Sequence, residues 1–381
     1  IARMVLPLLG GAATVWNTCL VFFQAVLLCG YAYAHGATTL LGPRRHAAVH
    51  ALVVLAPLLL LPVALSPGTP PPTGNPAGWL LVTLLTSIGL PFFALSTSAA
   101  VLQKWYSATD DEGARDPYFL YAASNLGSFA ALVAYPLFVE RTLRLQSQAH
   151  WWTAGYGLLA VMTIACAVVV WRNAGTAASR SAVVTTAAPA ETLTWVRRAR
   201  WTVLAFVPSS LLLAVTAYMS TDVASVPLLW MVPLCVYLGT FVIAFSPSAA
   251  PARRVASRRM PMAVITLALL LIAQAPGGFA VVAVGGHGGL AQDRPTPSRL
   301  TEFYFWISLG GMLGGLFNAL LAPMLFTGIV EYPLVLIVAC LVRRVGATPP
   351  GRSSWVWDAG WVGVVFALAV ASVLINGRFG S

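Results

Sequence analysis

Residues 14–41 run without a single Asp, Glu, Lys or Arg, and so do 78–103, 117–139, 150–171, 201–219 and 260–275. A helix needs roughly 20 apolar residues to cross the ~30 Å hydrocarbon core of a bilayer. Soluble domains, at about 25% charged residues, do not string together so many uncharged runs of that length. Of the 381 residues, 59% are hydrophobic and 9% are charged, too few charges to keep the surface of a large globule in water. The sequence excludes a soluble globular protein and predicts an all-α polytopic membrane protein.

Bounding the apolar runs by charge or by Gly/Pro clusters predicts spans at 14–41, 46–66, 78–103, 117–139, 150–171, 201–219, 226–245, 260–275, 299–325, 329–342 and 355–376. A further segment, 277–291, is weaker because Gly277, Gly278, Gly285, Gly286, Gly288 and Gly289 lower its helix propensity. The expectation is therefore about 11–12 transmembrane helices. If the weak segment crosses, every Lys and Arg of the 22 falls on one side except Arg3, Arg141, Arg144 and Arg378. The positive-inside rule favours that arrangement and makes the richer side cytoplasmic. The formal charge of +11 thus reads as membrane orientation, and no nucleic-acid partner is expected.

The longest predicted loop, 172–200, is rich in Ala, Ser and Thr and ends in Trp195, Arg197, Arg198, Arg200 and Trp201. Aromatic and basic residues together suit the headgroup layer, so this end is expected flat at the cytoplasmic interface. It separates an N-terminal membrane half, 1–171, from a C-terminal half, 201–381. The loop at 67–78, with Pro67, Pro70, Pro71, Pro72 and Pro76, is expected to be an extended connector. The sequence opens at Ile1, and one more helix is expected upstream; whether the natural protein continues past Ser381 is left open.

Polar residues inside spans are the default functional candidates. They are Asn17 and Gln24, which are seven apart and share a helix face, then Ser96, Thr97 and Ser98, Asn125, Ser209 and Ser210, and Asn318. One reading is a polar pocket of Asn17, Gln24, Asn125 and Asn318 with Glu302; the other is a set of interhelical hydrogen bonds that hold the bundle. The acidic residues fall in loops or near span ends, whereas ion-coupled carriers generally hold a carboxylate deep in the membrane. Glu302 is the best placed: Thr296 and Pro297 read as an N-cap and first helical position, which puts it near the positive end of a helix dipole. Ser308–Asn318 carries two overlapping GxxxG patterns, Gly310/Gly314 and Gly311/Gly315. Gly311, Gly315, Asn318 and Ala322 form a small-residue stripe, a candidate packing face for another helix of this chain or of another subunit.

His46 and His50 lie one turn apart at the start of a span, but no HExxH pattern follows and Arg44 and Arg45 would repel a cation, so no metal is expected. His287 sits in a glycine-rich stretch that either approaches a ligand or is a plain loop. Cys19, Cys29, Cys166, Cys235 and Cys340 lack any CxxC pairing. No nucleophile elbow, P-loop or strand-borne dinucleotide loop is present, so no catalytic residue and no cofactor are expected.

Several stretches resemble the membrane region of bacterial spermidine synthase-like proteins, also described as fused major-facilitator/spermidine synthase proteins. They are MVLPLLGGAATVWNTCLVFFQAVLLCGYAYAH at 4–35, DPYFLYAASNLGSFAALVAYP at 116–136, FVPSSLLLAVTAYMSTDVASVPLLW at 206–230, LTEFYFWISLGGMLGGLFNALLAPMLF at 300–326 and EYPL at 331–334. The resemblance implies a major-facilitator-like two-half bundle in the bacterial cytoplasmic (inner) membrane. Its glycine loop and catalytic aspartates, which belong to a soluble aminopropyltransferase domain, have no counterpart here. Where that family carries a stretch like CHGELA, this chain has Gly286, His287, Gly288, Gly289, Leu290 and Ala291, without the glutamate.

Three functions are expected in that light. The first is a non-catalytic scaffold or accessory subunit of a membrane complex, with the bilayer and other membrane subunits, met through the Gly-rich helix, as partners. The second is a transporter-like module for a small polar or cationic solute such as a polyamine. The third is a membrane anchor for an aminopropyltransferase domain that lies outside these residues.

Overall fold

The structure is a computed structural model that describes residues 2–9, 13–64, 76–185, 193–218, 231–246, 279–326 and the isolated positions 334, 335 and 338. The predicted spans 260–275 and 355–376, nearly all of 329–342 and most of the proline-rich loop lie outside the described residues. Within them the chain is helical, with no strand. In chain order the helices are α1 (Ala2–Leu9), α2 (Ala13–Leu40), α3 (Pro43–Leu55), α4 (Pro76–Tyr106), α5 (Phe119–Thr142), α6 (Leu145–Thr185), α7 (Trp195–Tyr218), α8 (Met231–Phe245), α9 (Phe279–Gln292) and α10 (Pro297–Leu321). Among the described residues, 6 helices are long and apolar enough to cross a membrane, so this is a multi-pass helical membrane protein.

Three departures from the sequence expectation have local causes. The span read at 46–66 is a 13-residue α-helix that tightens into a 3₁₀ turn at Ala56–Leu60. Pro57 and Pro62 cannot donate to the ladder, and the α-helix stops there, too short to cross by itself. The loop read at 172–200 is largely helix: α6 runs for 41 residues to Thr185, about 61 Å and roughly twice the hydrocarbon core. Helix α7 already starts at Trp195, since Ala, Arg and Ser in helical sequence carry no breaker. The weak segment is a 14-residue helix despite its glycines.

Helices α4, α5 and α10 each contain a π turn, at Leu85–Gly89, Tyr135–Val139 and Phe317–Leu321. The first and third are followed two residues later by a proline, Pro91 and Pro323, and the second contains Pro136. A proline removes one i→i−4 bond and crowds the preceding turn, and a wide turn accommodates both faults without ending the helix.

Two compact units emerge. The first comprises residues 1–121, 131–195 and 295–308; the second comprises 122–130, 196–294 and 309–381. In the first, Val5, Cys19, Phe22, Leu80 and Leu84 form a buried cluster of α1, α2 and α4. The same pair α2 and α4 is in close contact where Gly30 faces Ser96, whose hydroxyl occupies the place of a Cβ. Ser96, Thr97 and Ser98 are buried and donate to carbonyls of their own helix, Phe93 and Ala94, at 2.7–2.8 Å. On α6, Leu158, Val161 and Met162 are each at least 60% exposed, as a lipid-facing stripe requires. In the second unit α7 is the most enclosed span, with 72% of its apolar window buried. Gly286 and Gly289 of α9 lie against Leu204 and Pro208 of α7 with no room for a side chain at Gly286. Close backbone approach is therefore what the glycines of α9 supply, and packing offsets their poor propensity.

Candidate functional site

In the first unit the opening turns of α10 gather polar and aromatic groups from α2, α4 and the turn before α5. Thr296 stands at the N-cap position and Pro297 at the first helical position, where such residues belong. The Thr296 hydroxyl, however, bonds to Ser298 at 2.8 Å and does not cap the helix. Lys104 of α4 donates to the carbonyls of Pro297 and Ser298 at 3.3 and 3.2 Å. Tyr118 donates to the carbonyl of Pro295 at 2.9 Å. His35 and Thr38 of α2 lie 3.2 and 3.4 Å from the hydroxyl of Thr301. Tyr304 donates to Gln103 Oε1 at 2.6 Å in a buried setting.

The faces of Tyr304 are covered as well. Tyr31 stacks at 5.8 Å and Tyr121 at 4.9 Å, both within 27° of parallel, and Tyr118 meets it edge-on at 6.0 Å. A cation needs an open ring face, and this tyrosine group turns its faces on one another. Glu302 is buried and pairs with Arg299 at 3.2 Å, one turn before it in α10. The arrangement fixes three chain segments to one helix end.

In the second unit the groups named from sequence meet. Asn318 bonds to the Ser210 hydroxyl and also donates to the Gly314 carbonyl at 3.1 Å, while Ser209 donates to the Gly311 carbonyl at 2.8 Å. Of the two GxxxG rows, Gly310 and Gly314 are the ones whose Cβ positions are filled by α7. A Cβ on Gly310 would crowd the Thr202 backbone, and one on Gly314 would lie 2.6 Å from the Phe206 carbonyl oxygen, whereas Gly311 has open space around it. Gly315, Asn318 and Ala322 are nonetheless buried. The 3.6-residue turn puts two adjacent GxxxG rows on neighbouring faces, and the Gly310/Gly314 row is the one that meets the α7 backbone.

The remaining pocket candidates divide between the units. Asn17 and Gln24 are half-buried on α2 of the first unit, which also holds Glu302, and Asn125 is half-buried on the part of α5 assigned to the second.

Two polar clusters join residues that the sequence did not connect. The carboxylate of Asp293, which follows α9, forms ion pairs with Arg197 and Arg200 at 3.2 Å each, and its carbonyl accepts from Arg197 and Trp201 at 3.0 and 3.2 Å. Arg197, Arg200 and Trp201 are thus engaged by the chain itself, on the first turns of α7. His287 is buried inside α9, neither in a loop nor exposed. Thr240 donates to the Tyr237 carbonyl at 2.6 Å, so it accepts from the Nδ1–H of His287 at 2.8 Å.

No family model matches the chain, and no curated protein or solved structure matches it.

Proposed function

We propose that this chain is a non-catalytic membrane module of the spermidine synthase-like type, a scaffold or accessory subunit of a complex in the bacterial cytoplasmic membrane. The observation that carries this reading is that the polar side chains at the α4–α10 and α7–α10 contacts are turned on other parts of the same chain. Tyr304 bonds Gln103, Asn318 bonds Ser210, and Ser209 bonds Gly311. Such bonds hold helices in register, whereas a solute site needs convergent groups left for the solute. The open side of Gly311 is where a helix of another subunit would approach α10. Native mass spectrometry of the complex, extracted gently from its own membrane, tests the proposal. Subunits that co-purify at fixed stoichiometry support it; a chain that always comes out alone refutes it.

A second reading draws on the π turns in α4, α5 and α10, because such turns interrupt a helix ladder and recur at functional sites. Under it the chain is a transporter-like module with the major-facilitator two-half arrangement, taking a small polar or cationic solute such as a polyamine. Saturable binding of spermidine to the purified chain would favour this reading over the first. The third, an anchor for an aminopropyltransferase domain, would show as that activity in the isolated complex.

A further inference from the structure

Helices α2, α3 and α4 of the first unit meet at Tyr33, His46, His50 and Trp105. The His50 ring lies 6.0 Å from that of Tyr33, 24° from parallel, and 5.5 Å from that of Trp105; His46 lies 5.6 Å from Trp105 and 6.0 Å from His50. His46 and His50 are only 3% and 0% exposed. Trp105 Nε1 donates to His46 Nδ1 at 3.0 Å. An indole nitrogen can only donate, so Nδ1 accepts and the neutral ring carries its proton on Nε2. That N–H, both nitrogens of His50 and the hydroxyl of Tyr33 are buried without a hydrogen-bond partner. Buried polar groups are almost always satisfied, and four unsatisfied atoms in one cluster point to a bound group.

The donor set defines its chemistry. His46 offers a proton where a metal would need a lone pair, which excludes a cation bridging the two rings. His50 adds one N–H and Tyr33 one O–H, so the cluster holds three donors without partners. The cluster stands on the first two turns of α3, at the positive end of its dipole. Gly42 at the cap makes no side-chain bond to that end. Arg44 and Arg45, both exposed, form no ion pair among the described residues. We propose that this cluster binds a phosphate group, the headgroup of an acidic phospholipid or a free phosphate-bearing solute, with His46, His50 and Tyr33 as donors and Arg44 and Arg45 as the outer charges.

The test uses the full chain with ring-labelled histidine in phosphatidylcholine nanodiscs, where nitrogen NMR resolves five histidines. The His46→Gln and His50→Gln variants assign the two rings. One arm titrates inorganic phosphate; the other replaces a tenth of the lipid with phosphatidylglycerol. A saturable shift of the His46 and His50 resonances, weakened about tenfold or more by the double variant R44Q/R45Q, is expected in at least one arm. A response to phosphatidylglycerol alone identifies a lipid, and a response to inorganic phosphate identifies a solute. If neither arm moves these rings, or if R44Q/R45Q leaves the response unchanged, the proposal is overturned.

Discussion

The register of the α7–α10 seam yields the sharpest prediction. Introducing Gly314→Ala puts a Cβ 2.6 Å from the Phe206 carbonyl oxygen and 2.9 Å from the Ser210 nitrogen. Both obstacles are backbone, so neither can swing aside, and reaching ordinary contact near 3.5 Å needs about 0.5–1 Å of helix separation. Overpacking of this kind costs about 1–3 kcal/mol. The separation also stretches the Asn318–Ser210 and Ser209–Gly311 bonds, worth about 0.6 kcal/mol each in a membrane. Against this, replacing a helical glycine by alanine gains about 1 kcal/mol in propensity. The net expectation is a loss of about 1–3 kcal/mol, and Gly310→Ala should behave alike because the Thr202 backbone blocks it. Gly311→Ala meets nothing within 4 Å, so it should be neutral or stabilising by up to about 1 kcal/mol. Reversible unfolding of the purified chain in mixed micelles, followed by circular dichroism, measures all three. Equal damage from Gly311→Ala and Gly314→Ala would refute the assigned register.

Other substitutions probe the remaining clusters. Tyr304→Phe leaves Gln103 Oε1 buried without its donor and should cost about 1–3 kcal/mol, much of which the double variant Tyr304→Phe/Gln103→Leu should recover; the same unfolding assay reads both. A double-mutant cycle on Asn318→Ala and Ser210→Ala should return a coupling of about 0.6 kcal/mol and no more than about 2, and a coupling of zero would contradict the bond. Asp293→Asn deprives Arg197 and Arg200 of their carboxylate; because both guanidiniums retain some exposure, the loss should be about 1–3 kcal/mol, below that of a fully buried pair. Asp111 is a pH probe. The Tyr106 hydroxyl, donating at 2.5 Å, and then the Gly113 amide, at 2.8 Å, hold its carboxyl below the ordinary aspartate value. A depressed carboxyl stabilises above the unfolded value of about 3.9 and loses that effect as pH falls through the lower folded value. Protection of the Gly113 amide from hydrogen exchange should therefore persist to below about pH 3.9 and then vanish, and Asp111→Asn should remove the pH dependence.

The helical membrane class was legible because it rests on the length of uncharged runs, which needs no tertiary information. The glycine-rich segment 277–291 read as weak because propensity counts the missing side chain at Gly286 and cannot count the Pro208 and Leu204 atoms that fill its place. The segment after Trp171 read as a loop because its polarity differs from a span, yet polarity does not break a helix once it leaves the bilayer. Among candidate site residues, Ser209, Ser210 and Asn318 stood out individually as polar atoms in apolar surroundings, and the structure joins them. Gln103 and Tyr304, 201 positions apart, gave no sign of their pairing. Gln103 sits near a span end, where a polar residue is unremarkable, and a tyrosine hydroxyl has no periodic pattern. Asp293 was visible only as a span-end acid, since its arginine partners lie in a different predicted segment.

The weakness of polar bonds in a membrane bears on which proposed function to test first. At about 0.6 kcal/mol apiece, Asn318–Ser210 and Ser209–Gly311 contribute little stability beyond that of apolar packing, so their value lies in choosing one helix register among several. A scaffold needs only that register, and a pair of apolar residues of similar shape can preserve it. A transporter needs the polar atoms themselves whenever solute passes them. The double variant Asn318→Leu/Ser210→Ala therefore separates the two readings. If it folds and still recovers its partner subunits by native mass spectrometry, the seam serves architecture alone. If it folds equally well but loses saturable solute binding, the polar atoms face a solute at some stage and the scaffold reading fails.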